Sequence, residues 1–107
     1  KIKQKDDLYE IMLIFNQKKY HCQGFLDSGN HAYYLGYPLI FIKKNVIDSY
    51  EKIDTMTVSG ISKRRIDIIL VDQLLVNKQT LKNVYVGVLD ELDYDCLLNK
   101  ELMGGII

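Results

Sequence analysis

Two extended apolar runs, Leu8 to Phe15 and Lys19 to Leu26, lie only three residues apart, and that spacing limits the fold more than any other feature. Short apolar runs joined by Asn16-Gln17-Lys18 read as a β-hairpin. The chain then keeps returning to extended structure. Tyr33 to Ile42 is a further strand, in which Gly36 and the lone Pro38 mark a bulge or an edge. Thr55 to Val58 and Arg65 to Leu75 flank "SGISKR", a Gly-bearing tip suited to a hairpin that stands away from its sheet. Thr80 to Leu89 alternates, with Val84, Val86 and Val88 on one face, as a central strand would. "CLLN" is an apolar strand running into a short helix begun at Asn99, and Asn45 to Ile53 carries apolar residues at helical spacing behind a capping Asn.

With 107 residues, 48% of them hydrophobic, and no internal repeat, linker or low-complexity stretch, these elements add up to a single mainly β domain over residues 1–107. Lys plus Arg and Asp plus Glu both number 14, so no net field would draw the chain to nucleic acid. A polyanion partner is not expected. The longest apolar runs are too short to span a bilayer, and the start, "KIKQKDD", has no signal-peptide pattern. Lacking an initiator Met, the sequence reads as a soluble piece of a longer protein. Two cysteines make no disulfide framework.

Most candidate sites fall away on chemistry. His21, Cys22, His31 and Cys96 lack the short spacings of a zinc site, and neighbours on a strand point to opposite faces. Asp90 and Glu101 stand twelve positions apart inclusively, yet Asp95 occupies the place where a calcium loop needs Gly. Lys63, Arg64 and Arg65 read as a wet face. Cys22 and Cys96 lie on apolar strands as small core residues rather than nucleophiles. No metal and no cofactor is expected.

Asp27 remains. In "GFLDSGN" the acid ends an apolar strand and opens a run of small polar residues, Ser28, Gly29 and Asn30, that breaks it. The motif is weak alone, since Asp followed by Ser or Thr and then Gly arises by chance in on the order of one such chain in twenty. Its context strengthens it, because the second strand of a hairpin delivers the carboxylate onto a tight backbone loop. Peptide hydrolysis by carboxylates needs two of them around one water, sharing a proton because like charges at that range do not both ionise. This chain offers one such turn, so the second acid would come from a second copy across a two-fold axis.

At these residues the sequence resembles the retropepsin-like aspartic proteases, through "FLDSGN" and through "CLLN" in the place of their apolar pair before the C-terminal helix. It is more similar to the sporulation sigma-E factor processing peptidase family, which also shows Leu-Asp-Ser/Thr-Gly-Asn, a "GYPLIFI"-like stretch, a "VSGIS"-like turn and an ending like "YDCLLNKEL". One departure stands out: where retropepsins carry Gly after the apolar pair, this chain has Asn99, in keeping with the sporulation family. The resemblance implies a closed β-barrel with a flap hairpin and one or two short helices. It makes Asp27 the catalytic carboxylate, with Ser28, Gly29 and Asn30 in its loop, Leu97 and Leu98 packing beneath, and Ser59, Gly60 and Ile61 in a flap that closes over peptide. It implies a homodimeric endopeptidase on the cytoplasmic face of a mother-cell membrane. Its substrate would be a sigma-factor precursor, cleaved once a signalling protein activates the enzyme. The competing expectation is a protease-like β domain that binds peptide without cutting it, or a plain barrel with an accidental turn motif.

Overall fold

The computed structural model describes residues 7–58 and 64–104. These residues form the strands β1 (Leu8–Phe15), β2 (Lys18–Asp27), β3 (Tyr33–Tyr34), β4 (Tyr37–Pro38), β5 (Ile40–Lys43), β6 (Asp54–Val58), β7 (Arg64–Val76), β8 (Gln79–Leu89) and β9 (Cys96–Asn99). A short helix, α1 (Lys100–Met103), follows β9. The main sheet runs β1-β2-β9-β5-β8-β7-β6, and a further pairing of β1 with β7 closes six of its strands into a barrel. Strand β6 is left outside, paired among the described residues only to β7.

Local chemistry sets the first hairpin. Asn16 and Gln17 both take positive φ, 53° and 62°, which gives a two-residue turn whose twist matches the strands it joins. Phe15 therefore pairs with Lys18, and Lys18 belongs to β2 rather than to the turn. Alternation then sends Ile11, Leu13 and Phe15 inward from β1, and Tyr20 and Cys22 from β2. They meet Val84, Val86 and Val88 of β8 and Cys96 and Leu98 of β9 in the barrel core. Each fully buried Leu or Ile there contributes roughly 1.5–3 kcal/mol.

Strand β5 is apolar without alternation because both of its faces are covered. Ile40 and Ile42 enter the barrel core, whereas Phe41 and the preceding Leu39 join Ile66 and Ile68 in a second cluster outside it. In β7 the ladder to β8 lapses at Asp72 and Asn83, the latter at φ 58°, and the buried positions shift from Ile69 and Val71 to Leu74 and Val76. The register is the same on both sides of the lapse, so the strands exchange their inward faces together without an inserted residue.

Two expectations need correcting. Residues 45–53 form no α-helix: a 3-10 turn at Lys44–Val46 leads into extended and bent chain. Ile47 is buried in the barrel core, but Ile53 is 53% exposed and its N–H bonds to the Ile68 carbonyl as chain approaching β6. Tyr50 secures the segment through its hydroxyl, 2.7 Å from Asp67 Oδ2. Tertiary contacts along an irregular path produce the same spacing as one helical face. Likewise, 33–42 is not one strand, because Leu35 (φ 51°) and Gly36 (φ 80°) turn it back into the small β3–β4 hairpin.

Candidate active site

Strands β2 and β9 run parallel, with Asp27 opposite Asn99, so both end at the same rim of the barrel. Strand β5, antiparallel to β9, begins there. Three elements thus start or stop together, and their outermost backbone groups have no ladder partners to continue with.

Asp27 is half-buried at the end of β2. Its Oδ1 accepts a hydrogen bond from Gly29 N at 2.9 Å, and its carbonyl accepts from Asn30 N at 3.0 Å. The carboxylate is part of its own turn. Ser28 and Gly29 are exposed. Neither Gly29 nor Asn30 is among the residues with positive φ, so what Gly29 offers the turn is space rather than backbone freedom. A Cβ at that position would lie 3.2 Å from Asp27 Oδ1.

Asn30 turns inward and is buried. Its Nδ2 donates to the carbonyls of Leu39 (3.1 Å) and Leu98 (3.4 Å), while its Oδ1 accepts from Ala32 N at 3.1 Å. Asn99 is fully buried: its Oδ1 caps α1 by accepting from Glu101 N at 2.9 Å, and its Nδ2 donates to the carbonyls of Ala32 (3.0 Å) and Leu39 (3.2 Å). The capping role was legible in the sequence, but the reach to Ala32 and Leu39 was not. A side chain that spans 67 positions to a backbone carbonyl has no local signature. Leu98 packs beneath, fully buried, and Leu97 is half-buried against the second cluster.

Of the expected flap, the two arms are β6 and the start of β7, paired from Asp54–Ile68 to Val58–Arg64; Ser59, Gly60 and Ile61 lie outside the described residues. One unforeseen contact ties the β3–β4 hairpin to the root of those arms. Tyr34 Oη donates to Asp54 Oδ2 at 2.7 Å. The bond pushes the Tyr34 hydroxyl up to about 12 and, with the Thr55 N–H, holds the Asp54 carboxyl below its ordinary range. The Tyr34 ring stands edge-on to Tyr85, centroids 4.9 Å apart.

The thiols take no part in such chemistry. Burial, aided by Asp95 and Glu10, pushes Cys22 up to about 12, and burial drives Cys96 well above the ordinary thiol range. His21 is exposed and Cys22 buried, on opposite faces of β2.

Among solved structures, a retropepsin-like aspartic protease from Rickettsia conorii aligns with a TM-score of 0.58 at 18% identity, over 96% of this chain and 75% of that one. The protease-reverse transcriptase of a foamy virus gives a TM-score of 0.59 at 11% identity, over 91% of this chain. The fold is retropepsin-like. This chain spans only 12% of the foamy viral one, and at such identities the likeness is one of fold. No protein-family model and no curated protein matches the sequence. Within the retropepsin-like barrel, Asp27 occupies a hydrogen-bonded turn at the meeting of β2, β9 and β5.

Proposed function

We propose that this chain is the protease domain of an aspartic endopeptidase that acts as a homodimer. The observation that carries the reading is the Asp27 turn: a carboxylate fixed by Gly29 N–H at the rim of a retropepsin-like barrel. In a dimer, two such turns face each other, and their carboxylates hold one water and one proton between them. One acts as base toward the water and the other as acid toward the carbonyl oxygen of the scissile bond. No metal or cofactor enters this chemistry. The arms of the β6–β7 hairpin lie over the bound peptide and help to exclude water. In this reading Ser28 hydrogen-bonds across the dimer axis to the partner's loop.

The substrate we assign is the N-terminal pro-segment of a sporulation sigma-factor precursor. Cleavage takes place at the cytoplasmic face of a mother-cell membrane after a signalling protein activates the enzyme. This part of the reading is supported by the "LDSGN", "GYPLIFI" and "YDCLLNKEL" stretches. Co-expression of the full-length protein with the precursor tests it: Asp27→Asn is expected to abolish processing while leaving the fold intact. Processing that continues unchanged in that variant would remove Asp27 from the chemistry.

A further inference from the structure

Asn30 and Asn99 are the buried polar side chains among the described residues, 8% and 0% exposed. Both Nδ2 donors and both Oδ1 acceptors are engaged, and the Leu39 carbonyl receives one donor from each side chain. The orientations are fixed by this network. Turning Asn30 over would set its amide nitrogen against Ala32 N–H and its oxygen against two carbonyls, and turning Asn99 over would oppose its nitrogen to Glu101 N–H. The Leu98 and Leu39 carbonyls lie where β9 ends and β5 begins, and the Ala32 carbonyl, which also accepts from Leu39 N, lies just before β3, so the side-chain amides tie these backbone segments together where the main sheet stops.

The network reaches the carboxylate through one residue. Asn30 closes the turn that Asp27 opens, with its own N–H on the Asp27 carbonyl, so anchoring the Asn30 side chain fixes the plane of that turn. Apart from the backbone pairing of Asn99 with Asp27 in the β2–β9 ladder, the Asn99 side chain makes no hydrogen bond to the turn. It holds Ala32 and Leu39, and Leu39 in turn holds Asn30.

We infer that Asn30 and Asn99 are a coupled pair of positioning residues that aim the Asp27 carboxylate, with Asn99 acting on the turn through the shared Leu39 carbonyl. The inference rests on the catalytic reading of Asp27. It extends that reading by placing control of catalytic geometry in a residue that sequence alone presents as a helix cap.

Asn99→Asp separates the two roles, because it keeps an oxygen for Glu101 N–H and loses both donations to Ala32 and Leu39. Asn99→Ser also keeps a cap, and is too short to reach those carbonyls, so it replaces the Asp variant if a buried carboxylate prevents folding. Two readouts apply: processing of the precursor by the full-length protein, and the Gly29 amide proton resonance of this chain, which reports the bond to Asp27. The expected result is a fall in kcat of about 100-fold with KM unchanged, accompanied by a moved Gly29 resonance. In Asn99→Asp both effects recede at acid pH, where a protonated carboxyl regains one donor. Asn30→Asp behaves alike, and the double variant falls short of the sum because both amides share Leu39. An unmoved Gly29 resonance overturns the inference, whether kcat is kept or is lost only together with thermal stability. Asp27→Asn, run in parallel, reports on the catalytic reading itself; if processing survives there, that reading fails while the Gly29 resonance still decides whether Asn99 orders the turn.

Discussion

Replacing Gly87 by alanine tests how tightly the second cluster is packed under the arms of the β6–β7 hairpin. Gly87 lies in β8 with ordinary backbone geometry, so the substitution acts through volume alone. A Cβ there would sit 2.8 Å from Ile66 Cδ1 and 2.9 Å and 3.0 Å from two atoms of the Phe41 ring. Carbon contacts are comfortable from about 3.5 Å, so these neighbours must retreat by roughly 0.5–0.7 Å. Phe41 is hemmed in by Leu39 and Ile68, both fully buried, and has little room. Overpacking of this kind costs about 1–3 kcal/mol, offset by about 0.4–1 kcal/mol from the reduced freedom of the unfolded chain. The net expectation is a loss of about 1–2 kcal/mol, or on the order of 5–10 °C in Tm for a domain of this size. Urea unfolding followed by circular dichroism measures it, with an unchanged slope as the sign that the end states are the same. Ile66→Val removes the carbon that is struck first. Alone it costs about 0.5–1.5 kcal/mol as a small cavity, but combined with Gly87→Ala that cavity is filled, so the double variant is more stable than the two single losses predict. A Gly87→Ala protein as stable as the parent, or a strictly additive pair, would refute the packing argument.

Gln17→Gly is expected to stabilise the chain by about 0.5–1 kcal/mol, because Gln17 at φ 62° carries a steric penalty that glycine escapes; the urea midpoint measures it. The Tyr34–Asp54 bond sets two pH limits. Asp54 is lowered from 3.8, so its contribution is complete above that value and lost as pH falls through the folded value; Tyr34 is raised from 10.0, so its contribution is complete below 10.0 and lost as pH rises through about 12. Amide resonances of Leu35 and Gly36 should move at both limits in the parent, and Tyr34→Phe should remove the Tyr34–Asp54 component of those movements. Finally, a disulfide reagent at mildly alkaline pH should label neither Cys22 nor Cys96 in the folded chain and both in urea. A thiol that reacts at the rate of free cysteine would contradict the burial described.

The parts of the fold that the sequence revealed are those governed by neighbours in the chain. The β1–β2 hairpin, the arms of the β6–β7 hairpin, the inward valines of β8 and the cap at Asn99 each follow from alternation or from one polar residue at a boundary. Misread stretches are those where distant contacts set the path. Val46, Ile47 and Tyr50 have helical spacing, yet each packs on the barrel separately, and Asp48 and Ser49 between them are poor residues for a helix interior. The Leu35–Gly36 turn was hidden because leucine rarely adopts positive φ, leaving Gly36 as the lone signal. At the candidate site, Asp27 and its turn could be read from four residues. The inward course of Asn30 could not, since its partners are carbonyls 9 and 68 positions away.

That last separation has a consequence for how the protein is made. Strands β1 and β2 can pair as soon as they leave the ribosome, but the Asp27 turn lacks one of its anchors, the Leu98 carbonyl, until β9 arrives, 68 positions after Asn30. At elongation speeds of about 5–20 residues per second, this is a delay of roughly 3–14 s for each chain. Throughout it, the nascent polypeptide displays the Asp27 turn without the long-range bond to Leu98 that helps to fix it. Synthesis order thus leaves the Asp27 turn incompletely tethered until the end of the chain is made.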